Sequence, residues 1–308
     1  MRIAVVGAGG VGGFFGALLA RGGAEVVFIA RGAHLEAMLR HGLRIEGGGH
    51  RVHLPGVRAT ADPREVGVVD VVMVCVKLWD LETALEQIRP LVGPRTVVVS
   101  FQNGVLKDER LMAAFGEERV IGGVSYVATR IVRPGVIGQT GSLQRLIFGE
   151  FDGRDSERVG ALHQACAAGG ISAEVSPDIR QETWRKFVFL VGLSATTATT
   201  RLPIGAVREN ARSRALLLDI MREVVTVAQA LGVALPDGYA QECMTLMDGL
   251  AYDMASSLYH DLERGQRLEV PWLSGGVVEL GHKAGVDTPL NRAVADILAP
   301  HADGRPRA

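Results

Sequence analysis

Two regimes of apolar patterning divide this chain. In the first part, short β-branched runs alternate with amphipathic stretches. Ile3 to Val6, Val26 to Ala30, Asp70 to Val76 and Thr96 to Ser100 are almost continuously apolar. Such runs predict strands buried on both faces of a parallel sheet. Helical periodicity between and beyond them predicts helices at Ala33 to Arg40, Leu81 to Leu91 and Ser156 to Gly169. Gly42 to Glu46 and Arg51 to Leu54 flank three glycines and predict a hairpin. Val124 to Thr129, Gly135 to Thr140 and Gln144 to Phe148 predict three further strands, and Ala173 to Val175 a last one. Ser176-Pro177-Asp178 is a turn and helix-start signal. Beyond it the apolar positions keep a helical period. Helices are expected at Ile179 to Ala198, Ser213 to Leu231, Gly238 to Glu263, Pro271 to Ala284 and Asn291 to Leu298. Gly232 supplies a stop after the second, and Pro271 suits a first helical turn. The expected architecture is α/β: a Rossmann-like domain over residues 1–176 and an all-α domain over residues 177–308.

Composition narrows the class. The chain has 308 residues, of which 47% are hydrophobic and 22% charged, enough for two domains with sizeable cores. The net charge of −1 provides no global field for nucleic acid or an anionic membrane. No apolar run approaches the roughly 18 residues of a membrane span. Cys75, Cys166 and Cys243 lie far apart, without C-x-x-C spacing. They point to a reducing compartment, with no disulfide framework and no metal site. The chain opens directly into a strand without a signal-like segment, so a cytoplasmic location is expected. The polar tail from His301 to Ala308 is expected to fray.

The chemistry begins at the first strand–helix turn. Gly7-Ala8-Gly9-Gly10-Val11-Gly12 places G-x-G-x-x-G between strand and helix. Gly7 permits the tight turn, Gly9 allows a pyrophosphate to approach the backbone, and Gly12 lets the helix pack close to the strand. The free N–H groups of Gly10, Val11 and Gly12 would receive the phosphates. At the end of the second strand, where an NAD-binding protein carries a carboxylate, stands Arg31. A guanidinium grips a 2′-phosphate through two donors, so NADP(H) is the expected cofactor. The alternative is a solvated loop arginine. Lys77 and Asn103 end the next two strands, the edge at which open α/β sheets bind ligands. Each has a bland reading, as a strand-end lysine and as a turn residue before Gly104.

In the helical part, Lys186 lies in the apolar stretch Trp184-Arg-Lys-Phe-Val-Phe-Leu190 and shares a helix face with Leu190 and Ser194. Partial desolvation would make it a good proton donor. Composition alone favours a snorkelling lysine. Glu269, ahead of Pro271, reads on spacing as a helix-start carboxylate.

Taken in order, these segments resemble the ketopantoate reductase (2-dehydropantoate 2-reductase) family. The matching motifs are G-A-G-G-V-G at Gly7 to Gly12, V-K at Val76-Lys77, Q-N-G-V at Gln102 to Val105, W-R-K-F at Trp184 to Phe187, S-S-L-Y-H-D-L at Ser256 to Leu262 and L-E-V at Leu268 to Val270. The resemblance implies an NADPH-binding Rossmann domain and a helical domain like that of 6-phosphogluconate dehydrogenase, with a cleft between them. It implies that Lys186 donates a proton and that Glu269 assists it or contacts cofactor. Lys77, Asn103 and Ala128 would meet the cofactor, and Asn103 and Ser257 the substrate. The implied reaction reduces a 2-oxo acid to a 2-hydroxy acid, as in pantothenate biosynthesis. The family places asparagines four and eight residues after the lysine, and Pro-Asn-Gly further on. Here Leu190, Ser194 and Ile204 stand at those positions. These substitutions imply a less polar carbonyl substrate than ketopantoate. A third expectation is a dinucleotide-binding sensor without turnover, disfavoured by the presence of both Lys186 and Glu269. The apolar helical domain permits a homodimer.

Overall fold

The computed structural model describes residues 1–305. The end of the expected frayed tail, residues 306–308, lies outside the described residues. The chain divides into two compact units, residues 1–103 with 107–182, and residues 104–106 with 183–305 of the described chain.

The first unit is built on a ten-stranded sheet in the order β4-β3-β9-β8-β7-β6-β1-β2-β5, with β10 also pairing β9. The strands are β1 (Arg2–Val6), β2 (Glu25–Ile29), β3 (Leu43–Gly47), β4 (His50–Leu54), β5 (Arg58–Thr60), β6 (Val71–Val74), β7 (Val97–Ser100), β8 (Val120–Arg133), β9 (Val136–Gly149) and β10 (Ser172–Val175). Five helices accompany them: α1 (Gly10–Arg21), α2 (Gly32–His41), α3 (Leu81–Gln87), α4 (Lys107–Phe115) and α5 (Glu157–Ala168). The central strands are parallel and apolar on both faces. Ile3 and Val5 pack with Phe14, Phe15 and Leu18 of α1, while Ala4 and Val6 pack with Leu81 and Leu85 of α3 on the opposite face. The alternation follows from the two-residue period of a strand.

The expected hairpin forms, with β3 antiparallel to β4. The three strands expected between residues 124 and 148 are instead two 14-residue strands paired antiparallel. Gly141, in the gap between two of the expected strands, has a positive φ of 66° that is absorbed within β9, and the pairing with β8 is irregular nearby. The length of β9 has a use, because β3 pairs beside its first half and β10 beside its second. Helix α3 is shorter than expected, and Arg89–Leu91 continue as a separate 3₁₀ turn with Pro90 in it. Helix α4 was not anticipated.

The second unit is helical: α6 (Ile179–Thr200), whose first residues belong to the first unit, then α7 (Ile204–Glu209), α8 (Ala211–Ala230), α9 (Tyr239–Asp248), α10 (Ser257–Glu263), α11 (Ser274–Ala284) and α12 (Pro289–Leu298). Its core joins Phe187, Val188 and Val191 of α6 to Leu217, Ile220, Met221 and Val224 of α8. The two helices approach closely at Gly192, where an added Cβ would lie 2.5 Å from Met221 Cγ. The single helix expected over 238–263 is two. Gly249 caps α9, and Ser256 caps α10 by accepting the Tyr259 N–H at 3.0 Å. Pro271 does not open a helix either. Residues 270–273 form a turn, and α11 begins at Ser274.

Candidate active site

Four parallel strands end in register. Val6 stands opposite Ile29 and Val74, and Val74 opposite Ser100. The segments that follow therefore leave the sheet along one edge: the glycine turn, Arg31, Lys77 and Asn103. Backbone bonds tie them together. Gly7 N–H donates to Ile29 O (3.0 Å), Cys75 N–H to Val6 O (2.8 Å) and Phe101 N–H to Val74 O (3.1 Å). Gln102, itself buried, donates from Nε2 to Val76 O at 2.8 Å and accepts the Ser100 hydroxyl at 2.9 Å. This clasp fixes the residues preceding Lys77 and Asn103 relative to each other. Lys77 is exposed, with Nζ 5.3 Å from the Trp79 ring centre, and Asn103 is half-buried.

The three motif glycines do different work. Gly7 has φ +93°, which L side chains rarely adopt. A Cβ on Gly12 would lie 2.2 Å from Gly7 O and 2.9 Å from both Cys75 Cβ and Val5 Cγ1, so only glycine lets α1 pack here. A Cβ on Gly9 would meet nothing within 4 Å. The space over Gly9 is open, and its smallness is not required by packing. Gly9 caps α1 without a side-chain bond, and the first turn holds no acid. Its N–H groups and dipole are suited to an anion. The Thr129 hydroxyl is buried without a hydrogen-bond partner, and its carbonyl would lie 2.5 Å from a Cβ on Gly10. Ala128, one residue earlier on β8, is exposed. Open space, the N–H groups of a helix start and an orphaned hydroxyl fit a dinucleotide pyrophosphate.

Arg31 is the N-cap residue of α2, and its side chain is 83% exposed. Its Nη2 donates to Asp80 Oδ2 at 2.7 Å. Sequence reasoning missed Asp80, because nothing in its spacing marks it as Arg31's partner. It also missed His34, in the first turn of α2, whose Nδ1 accepts the Gly135 N–H at 3.1 Å. Burial holds the His34 pKa below its usual value, partly offset by the Ala8 carbonyl in the glycine turn.

In the second unit, Lys186 and Leu190 are half-buried on α6, and Ser194 is 1% exposed. The Ser194 hydroxyl has no hydrogen-bond partner. One turn on, the Thr197 hydroxyl lies 2.9 Å from that of Ser256, which joins the start of α10 to α6. Ser256 is buried in this cap, whereas Ser257 is exposed at the first position of α10. Ile204 is wholly buried in the helical core. Glu269 is 6% exposed and opens a turn, its carbonyl accepting the Trp272 and Leu273 N–H groups at 3.0 and 3.1 Å.

Among the described residues no cluster of His, Cys, Asp and Glu could hold a metal, and no helix is long and apolar enough to cross a membrane. A mostly parallel sheet carrying this turn, followed by a helical unit, defines a two-unit dinucleotide-binding α/β protein. Residues 3–153 match the family described as ketopantoate reductase PanE/ApbA, and residues 178–302 its C-terminal part. A 2-dehydropantoate 2-reductase of Mesorhizobium japonicum is 35% identical, over 97% of each chain. The uncharacterized oxidoreductase YkpB of Bacillus subtilis is 31% identical over 96% of each. The crystal structure of a 2-dehydropantoate 2-reductase from Geobacter metallireducens superposes with a TM-score of 0.91 at 32% identity, covering 97% of this chain and 99% of that one. The chain belongs to the ketopantoate reductase family, NAD(P)H-dependent oxidoreductases that act on a CH–OH group.

Proposed function

We propose that this protein reduces a 2-oxo acid to a 2-hydroxy acid with NADPH, in the manner of a 2-dehydropantoate 2-reductase. One observation carries the cofactor side. The in-register strand ends deliver the glycine turn, Arg31, Lys77 and Asn103 to one sheet edge, with open space over Gly9. Gly7 to Gly12, with Ala8 and Val11 between the glycines, would hold the pyrophosphate. Arg31 would take the 2′-phosphate, and Lys77, Asn103 and Ala128 the remaining contacts. When bound, the cofactor supplies hydride.

The helical unit supplies the proton. Lys186, half-buried on α6, would stabilise negative charge on the carbonyl oxygen and protonate it. Glu269, buried in its turn, would order the lysine or contact cofactor, and Ser257 and Asn103 would orient the substrate. NADPH oxidation against a panel of 2-oxo acids, ketopantoate included, tests the activity. Lys186→Ala should lower turnover by at least ~100-fold while NADPH still binds. Near-normal turnover would remove the lysine from the reaction.

A second reading concerns the substrate. Leu190 packs against the helical core, and Ile204 lies inside it. Ser194 presents one buried hydroxyl where the family has an amide. Leucine and isoleucine offer no partner to a polar substrate. A buried hydroxyl left unpaired would cost about 1–3 kcal/mol. The site then suits a 2-oxo compound less hydroxylated than ketopantoate. A higher kcat/KM for ketopantoate than for such compounds would reject this reading.

A further inference from the structure

Asp80 and Arg31 raise a question that dinucleotide binding alone does not answer. Asp80 is the last residue of the 3₁₀ turn Leu78–Asp80 and leads directly into α3, with helical backbone angles (φ −95°, ψ −2°) rather than the extended ones of a capping aspartate. Its side chain makes no capping hydrogen bond. Its carboxylate reaches the Arg31 guanidinium, at the start of α2, at 2.7 Å. The carboxylate thus joins two segments leaving the same sheet edge and makes no bond to its own helix. The Asp80 side chain keeps 30% of its surface in water and that of Arg31 keeps 83%, so the pair can open. An exposed pair of this kind stabilises the fold little.

We propose that Asp80 sets how strongly the protein discriminates NADPH from NADH, an assignment that rests on Arg31 as the ligand of the 2′-phosphate. A phosphate on the ribose must displace the Asp80 carboxylate from the guanidinium, and its negative charge then lies beside that carboxylate. Both effects weaken binding of the phosphorylated cofactor. NADH asks nothing of Arg31, and the pair stays closed. Asp80 therefore acts as a competing anion that keeps the preference for NADPH moderate. Lys77 precedes the 3₁₀ turn Leu78–Asp80, with the Asp80 N–H donating to the Lys77 carbonyl at 2.9 Å. The position of Asp80 is thus tied to that of another expected cofactor contact.

The test is calorimetric titration of the full chain with NADPH and NADH, without substrate. Asp80→Asn keeps the shape of the side chain and removes its charge. It should tighten NADPH binding about three- to tenfold and leave NADH unchanged, the scale expected for one exposed ion pair plus relief of like-charge repulsion. The gain should shrink at about 0.5 M salt, where charges on the surface are screened within a few ångströms. Arg31→Met should weaken NADPH about tenfold or more with NADH unchanged. In the Arg31→Met background, Asp80→Asn should add at most twofold. If Arg31→Met leaves NADPH binding intact, the assignment of the phosphate ligand fails, and the role of Asp80 with it. If Arg31→Met weakens NADPH but Asp80→Asn leaves it unchanged or weaker, the phosphate ligand stands and the role of Asp80 is overturned.

Discussion

Gly9→Ala and Gly12→Ala should separate folding from cofactor binding within one motif. At Gly12 the added methyl would lie 2.2 Å from Gly7 O, a backbone atom that no rotamer change can move. Cys75 Cβ and Val5 Cγ1, both at 2.9 Å, close the other escape routes. Overpacking a filled site typically costs about 1–3 kcal/mol, and contact with rigid backbone belongs at the upper end. Alanine returns up to about 1 kcal/mol through helix propensity, because Gly12 lies within α1. The net loss is about 2 kcal/mol, or a fall in melting temperature of about 4–8 °C for a unit of this size. At Gly9 the backbone is extended, with φ −71°, and a methyl would meet nothing within 4 Å. Stability should stay within about 0.5 kcal/mol of the parent. NADPH affinity should fall at least about tenfold, because the methyl occupies the space a pyrophosphate needs. Differential scanning calorimetry without nucleotide, then titration with NADPH, reads the two effects separately. A Gly12→Ala protein that melts with the parent would refute the packing argument. A Gly9→Ala protein that binds NADPH normally would refute the proposed phosphate cradle.

Three further outcomes follow from buried ionisable groups. Lys107 is 1% exposed and pairs with Asp108 at 2.7 Å. Asp108→Asn should cost about 3 kcal/mol by stranding the ammonium, whereas Lys107→Met with Asp108→Asn should recover most of it in urea unfolding; a double variant as unstable as the single would contradict this. Burial is the largest influence on Glu150, yet hydrogen bonds from Arg158 and Ser156 hold its carboxyl below the usual range. Its stabilisation is therefore full above the unfolded pKa and lost as pH falls through the folded one. Glu150→Gln should lower stability at pH 7 by about 1–2 kcal/mol and flatten the acid limb of the stability profile, and an unchanged acid limb would count against it. Burial pushes the Cys166 thiol up to about 12 and that of Cys243 up to about 11. Both should resist iodoacetamide at pH 8 in the folded protein and react on unfolding, as peptide mass spectrometry would show.

The family was legible in the sequence because its motifs are local. A glycine turn between a buried strand and a helix, and a lysine within an apolar helical stretch, need no tertiary contact to be noticed. The division into a sheet part and a helical part was legible too, since two-residue and 3.6-residue periods differ over any long window. Errors arose where a distant contact outweighs the local signal. The expected strands Gly135 to Thr140 and Gln144 to Phe148 are one, because β9 runs through the gap between them, held by β3 on one stretch and β10 on another. Gly249 and Ser256 interrupt what periodicity reads as one helix, and the Ser256 hydroxyl bond to Thr197 shows what the interruption serves.

At the candidate site the same distinction holds. Sequence determined which residue types were present and which strand each followed, because strand order and glycine spacing are written along the chain. Only the tertiary structure decided that Val6, Ile29, Val74 and Ser100 end in register, since pairing between strands is not encoded in any one of them. It alone decided that the Asp80 carboxylate would meet Arg31, and that Gly12 is required by packing while Gly9 is not. The physical reason is common to all three. A side chain's neighbours through space are set by the closing of the sheet, and a residue's chemistry depends on those neighbours more than on the ones beside it in the chain.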